Sequence, residues 1–171
     1  RGDDVSVVLD LMIHDLEIVQ ALVNSPVVSV EAIGVSVFSA SEDIANARIR
    51  FESGCVANIT ASRVSMDRMR KIRIFEPDAY MSTDYSEQEV RVYRKKPGSL
   101  PEGASPMDAI SIEPLPVERG EPLRRELSSF VECVRERKPP VVSGETALTA
   151  MRLADQIMKA IRSEEHTLSF T

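Results

Sequence analysis

The sequence is short of the residues from which closed metal sites are built, with two cysteines and two histidines in 171 residues. A structural zinc site needs a full tetrahedral set of such ligands. Cys55 and Cys133 sit far apart and match no metal or redox spacing. They are expected to be small buried hydrophobes in a reducing cytoplasm. No basic stripe interleaves with aromatics and the net charge is −6, both of which argue against a nucleic-acid surface. No apolar run approaches the roughly 20 residues of a membrane span. None of the seven glycines forms a G-x-G-x-x-G turn, so the loop that cradles a pyrophosphate at a helix start is missing. The chain opens on Arg1 with no signal peptide, and both ends read as cut.

What is present belongs to an ordinary globular protein, 43% hydrophobic and 28% charged, long enough for one domain with a core. The stretch Val5 to Val23 reads as one helix, with Val8, Met12, Leu16, Val19 and Val23 at three- and four-residue steps. Val7, Leu9, Leu11 and Ile13 fill its other faces, which predicts burial on most sides. Asp10 and His14 interrupt this wall four residues apart, one turn from each other. A carboxylate beside an imidazole can fix the ring's tautomer while the other nitrogen takes a proton. A core histidine satisfied by a neighbouring aspartate has the same spacing, and a metal reading lacks a third ligand. Asp15 points to another helix face and is expected to be structural.

Asp3 or Asp4 suits the helix cap, and Asn24-Ser25-Pro26 ends the helix. Val27 to Ser39 is rich in β-branched residues and reads as a long strand, kinked at Gly34. Asp43 to Phe51 alternates, with Ala45, Ala47, Ile49 and Phe51 on one face. Glu52-Ser53-Gly54 is a hairpin turn leading to Cys55 to Val64. Met69 to Phe75, Ala79 to Asp84 and Glu89 to Arg94 continue the meander, Pro97 to Asp108 is a loop, and Ala109 to Val117 reads as an edge strand. Glu121 to Arg137 is an amphipathic helix with Leu123, Leu127, Phe130, Val131 and Val134 on its stripe. Ser143-Gly144-Glu145 opens the last helix. This order predicts an α+β fold, an open-faced and mostly antiparallel sheet with helices packed on one face. The other face, bearing Arg48, Asn58 and Ser62, is expected to be covered by a second copy, making a homo-oligomer.

The segment Val8-Leu-Asp-Leu-Met-Ile-His-Asp-Leu-Glu17 resembles the Asp-x-x-x-His signature that opens the C-terminal domain of the Gfo/Idh/MocA oxidoreductases. The Phe51-Glu-Ser-Gly54 hairpin and Val141-Val-Ser-Gly-Glu145 agree with that family. The resemblance covers residues 1 to 161. Within the family, Asp43 to Arg48, Gly54 to Ser65 and Met69 to Phe75 are similar to the UDP-N-acetylglucosamine 3-dehydrogenase branch, which is associated with lipid A sugar modification. The resemblance implies that residues 1–161 are the substrate and oligomerisation domain of a two-domain NAD(P)-dependent dehydrogenase. Its N-terminal Rossmann domain, with the cofactor and a Glu-Lys-Pro lysine, is absent here. Lys96-Pro97 and Lys138-Pro139 lack the preceding glutamate.

On this reading His14 is the acid/base group, oriented by Asp10, and takes the proton of a sugar hydroxyl, at C3 of UDP-N-acetylglucosamine in the narrower form. NAD or NADP is held mainly by the missing half. Arg63, Arg70 and Lys71 are candidate contacts for a nucleotide-sugar diphosphate, against the alternative that they are ordinary surface charges. No metal, nucleic acid or membrane partner is expected, and the setting is cytoplasmic. Arg162-Ser-Glu-Glu-His-Thr167 resembles a translated sequencing adapter, so residues 162–171 are expected to stand outside the protein's own sequence. The alternative function is a non-catalytic sheet domain for partner binding or assembly.

Overall fold

In the computed structural model, which describes residues 4–66, 69–98, 103 and 105–168, the first helix begins with a turn wider than an α-helix allows. Val8–Met12 is π-helical and runs without a break into α1, Ile13–Val23. A π-turn reaches five residues back, so residues four apart lie nearer one line along it. This suits the apolar pattern, for Val7, Val8, Met12 and Leu16 are all fully buried. The cap comes from Ser6, whose hydroxyl accepts the Val8 N–H at 3.2 Å, and Asp4 is exposed. The other expected cap, Asp3, lies outside the described residues. Asn24 ends α1 in the left-handed region, φ 44°, its N–H bonded to the Gln20 carbonyl at 2.9 Å.

Two compact units follow from the contacts of the chain, residues 1–66 with 136–171, and residues 67–135. The first unit holds an antiparallel sheet, β1 (Val27–Val35), β2 (Ile44–Phe51) and β3 (Val56–Ser62), in that order. Ala45, Ala47, Ile49 and Phe51 of β2 are buried as the alternation predicts. They meet α1 and α3, Gly144–Leu168, whose Leu153, Ala154, Ile157 and Ile161 are buried in the same core. Gly34 does not kink β1. Its place is dictated by α3, since a Cβ there would meet Ile161 Cγ2 at 2.9 Å and Glu42 Cγ at 2.6 Å. The irregularity of β1 lies instead between Val27 and Ser29. Gly54 takes φ +84° in the β2–β3 hairpin, as expected.

The open face of this sheet carries the polar row. Arg48 Nη1 donates to Asn58 Oδ1 at 2.8 Å, and the Thr60 hydroxyl to Asn46 Oδ1 at 2.7 Å. Strand β1 ends at Val35, four residues short of the expected Ser39, because the next N–H groups turn to the Asp43 carboxylate instead of a neighbouring strand.

The second unit contains β4 (Lys71–Phe75), β5 (Ala79–Asp84), β6 (Glu89–Lys95) and β7 (Ile110–Leu115), antiparallel in sequence order. The meander is therefore two sheets, where one long sheet was expected. At the end of β3 the Ser62 hydroxyl accepts the N–H groups of Val64 and Ser65, at 3.3 and 3.1 Å, and this turns the chain out of the ladder. Strand β7 is an edge, as Pro114 within it requires. A short 3-10 turn, Pro106–Ala109, precedes it with a Ser105–Asp108 capping box. Residues 99–102 and 104 of the expected loop lie outside the described residues. Helix α2, Pro122–Glu136, is opened by the Glu121 carboxylate, which accepts the Leu123 and Arg124 N–H groups at 3.2 and 2.6 Å. Its apolar stripe is exposed, and no described residue of α2 is buried. Helix α3 continues to Leu168, into the tail, and 169–171 lie outside the described residues. Cys55 is exposed and Cys133 half-buried, so neither is the fully buried hydrophobe expected.

Candidate active site

The helix wall offers its chemistry on the side away from the core. Met12 and Leu16 anchor it inward, and Asp10 and His14 are both exposed. Among the described residues neither side chain has a hydrogen bond or an ion pair. A satisfied core pair is therefore not what this fold builds. Nor does a bond join the two side chains; a carboxylate and an imidazole stand one turn apart, both open to a ligand. Asp10 belongs to the π-turn and His14 to the first turn of α1. Short π segments recur at functional sites because they reset which residues face outward. Asp15 is half-buried beside them.

The start of this helix is fixed by a knot of polar groups that sequence reading missed. Asp43 is 1% exposed. Its Oδ2 accepts the N–H groups of Val37, Phe38 and Ser39 at 2.8, 2.7 and 3.0 Å, and its Oδ1 the Ser39 hydroxyl at 2.9 Å. Donation from the Phe38 and Ser39 N–H groups above all, with Val37 and the Ser39 hydroxyl adding to it, outweighs burial and holds this carboxyl far below the usual carboxylate range. Arg63 Nε lies 3.7 Å from Oδ1, and Arg63 Nη2 donates to the Val5 carbonyl. A backbone bond from Val7 to the Glu42 carbonyl, 2.9 Å, runs alongside. The available signal was the cluster Ser39-Ala-Ser-Glu-Asp43 between two strands, a composition that favours side-chain to backbone turns.

The five candidate residues are thus divided between the two units. Asp10, His14 and Arg63 belong to the first, with the Arg63 side chain largely buried at 14% exposure. Arg70 and Lys71 belong to the second. Lys71 Nζ lies 3.0 Å from Asp84 Oδ2 across the β4–β5 pair, and that bond holds the Asp84 carboxyl below its ordinary value. The Arg70 side chain is exposed, and its carbonyl accepts the Tyr85 N–H at 2.9 Å.

Neither sheet is parallel, and no G-x-G-x-x-G turn stands in the sequence; the loop between β7 and α2 holds the single glycine Gly120. A dinucleotide turn of that kind follows a parallel strand, which the described residues do not offer. No group of three or more His, Cys, Asp or Glu side chains among the described residues is arranged to hold a metal ion, and no described helix is long and apolar enough to cross a membrane.

Residues 2–81, which contain the helix wall and the first sheet, match the family model of the GFO/IDH/MocA C-terminal domain. Among proteins of known role the chain is similar to the UDP-N-acetylglucosamine 3-dehydrogenase of Acidithiobacillus ferrooxidans, 29% identical over 163 residues, covering 95% of this chain and 51% of the relative. The solved structure of that enzyme superposes with a TM-score of 0.84 over the same shares, at 29% identity. Levoglucosan dehydrogenase in complex with NADH and levoglucosan has a TM-score of 0.73 at 16% identity, covering 91% of this chain and 48% of its own. Aldose-aldose oxidoreductase from Caulobacter crescentus gives 0.69 at 21%, covering 89% and 44%. These two likenesses are of fold. The chain spans about half the length of the curated relative it matches, 51%.

Proposed function

We propose that this chain is the C-terminal half of an NAD(P)-dependent dehydrogenase acting on a sugar or nucleotide sugar, C3 of UDP-N-acetylglucosamine in the narrower reading. The observation that carries it is the exposed, unbonded Asp10–His14 pair on an otherwise anchored helix. Likeness to a UDP-N-acetylglucosamine 3-dehydrogenase along 95% of the chain supports the substrate class. The nicotinamide belongs to a half outside these residues. What this chain supplies is a wall for the sugar and a group, His14, that holds the proton of its hydroxyl, with Asp10 setting the ring when substrate closes the site. The narrower reading extends to a cytoplasmic homo-oligomer serving lipid A sugar modification.

The test is made in the full two-domain protein. His14→Ala should lower kcat by about a hundred- to ten-thousand-fold, the usual worth of a positioned acid/base group. Asp10→Asn should lower it less, since the ring stays in place. KM should move little in both, because the proton is transferred in the transition state. The pH-dependent limb of the parent's rate should be missing from the alanine variant. Parental turnover with the same limb in His14→Ala would mean the base lies elsewhere.

A further inference from the structure

Helix ends fray unless something holds them, and among the described residues the local cap of the helix that carries Asp10 and His14 is Ser6. Among the described residues, two bonds hold its start from outside. One is Val7 N–H to the Glu42 carbonyl at 2.9 Å; the other is Arg63 Nη2 to the Val5 carbonyl. The second depends on where the guanidinium sits. Asp43, almost fully buried and fixed by three N–H groups and a hydroxyl, places an immobile negative charge 3.7 Å from Arg63 Nε. The Arg63 backbone is pinned as well, its N–H donating to the Asp43 carbonyl at 3.0 Å. A planar fork fixed on one side can direct a donor on the other, which a lysine does poorly.

We infer that Arg63, seated by Asp43, is a positioning residue that sets the start of the π-turn and so the placement of Asp10 and His14. This rests on the reading of His14 as the acid/base group. It gives Arg63 a role other than diphosphate contact, consistent with a side chain only 14% exposed. The bonds join the end of β1, the start of β2, the end of β3 and the helix start at one point, all within the first unit. The helix is a stiff element, so a shift at Val5–Val7 is passed on to residues 10 and 14. Misplacement by about 1 Å can cost on the order of a hundredfold in rate.

The experiment compares Arg63→Met, Arg63→Lys and His14→Ala in the full two-domain protein, by steady-state kinetics and amide hydrogen exchange. Arg63→Met should lower kcat about tenfold, with KM within about twofold, as misplacement of a reacting group does. Exchange should quicken at residues 7–12 and stay as in the parent at 45–51 of β2. Arg63→Lys, which keeps the charge and loses the fork, should fall between. A raised KM with parental kcat would overturn the inference and make Arg63 a substrate contact. Parental kcat in Arg63→Met, or exchange quickened equally in β2, would overturn it too. A silent Arg63→Met beside a crippled His14→Ala defeats only the positioning role. A silent His14→Ala defeats the acid/base reading, and the positioning role with it.

Discussion

The two units use their apolar residues differently. In the first, Val7, Val8, Met12 and Leu16 of the leading helix, Ala45, Ala47 and Ile49 of β2, and Leu153, Ala154, Ile157 and Ile161 of α3 close on one another. In the second, Val92 is the one buried hydrophobic side chain among the described residues. Its strands are held by backbone ladders and by cross-strand rings, Phe75 on Tyr80 and Tyr80 on Tyr93, each with centroids 5.0 Å apart. Helix α2 has the stronger amphipathic pattern, yet Leu127 and Phe130 are 55% and 60% exposed. Periodicity tells which face of an element is apolar. Whether that face is covered depends on a partner at the right distance, which no local pattern records.

The largest effect on stability should come from trimming the first unit's core. Ile157→Ala, a fully buried site, should cost about 2–5 kcal/mol through lost transfer energy and the cavity left behind. Phe130→Ala on α2 should cost less than about 0.5 kcal/mol, as surface changes do. Denaturant midpoints followed by circular dichroism compare them. Equal losses would mean that the α2 stripe is covered in solution, and the contrast between the units would fail.

The same contrast marks what could be read from the sequence. The helix wall, the β2 alternation and the Gly54 turn were legible because burial there follows the period of each element. Asp10 and His14 were legible as polar interruptions of an apolar wall. Their exposure was not, since a buried pair and an open pair share one spacing. The π-turn was illegible for a similar reason, because residues at four-residue steps satisfy either helix. Asp43 was hidden because its partners are backbone N–H groups, which every residue but proline carries. Gly34 looked like a weak point of a strand, and only the approach of Ile161 shows why no larger residue stands there.

Acid should act next, and mostly through Asp43. Its folded-state pKa is depressed, so its contribution is present above the unfolded carboxyl's value of about 3.9 and is lost as pH falls below it. Asp84, with Lys71, and Glu145, with the Ser143 side chain, are shifted the same way. The urea midpoint of the parent should hold from neutrality to about pH 5 and then drop. Asp43→Asn should start lower at neutral pH and fall less over the acid range. A variant that loses midpoint as steeply as the parent below pH 4 would shift the acid response to the other carboxylates.

Self-association should be a subtler effect. The open face of the first sheet is polar along Asn46, Arg48, Asn58 and Thr60, with Ile33 and Val35 exposed beside it. We propose that a second copy covers it, and light scattering at tens of micromolar, order of magnitude, should then report a dimer or larger species. Arg48→Glu places a carboxylate opposite the exposed Glu31 and should shift the species toward monomer. A parent that is strictly monomeric over that range has no stable self-interface of standard size.

The smallest expected effect is none at all, and it concerns both units together. Nicotinamide dinucleotides are held where a glycine turn after a parallel strand presents N–H groups at a helix start. Among the described residues the positive-φ glycine of the first unit is Gly54, in a hairpin; those of the second are Gly98 and Gly103, between β6 and β7, while Gly120 stands alone between the antiparallel strand β7 and α2. Gly144 opens α3 with no second glycine near it in sequence, and the loop before it follows a helix and not a parallel strand. NAD or NADP added to the 171-residue chain should therefore leave its melting temperature unchanged. A ligand bound only by the folded state, at a hundred times its Kd, would stabilise by about 2.7 kcal/mol, which a thermal shift registers easily. A saturable rise with either nucleotide would mean that this chain makes a cofactor site of its own, against the proposed function.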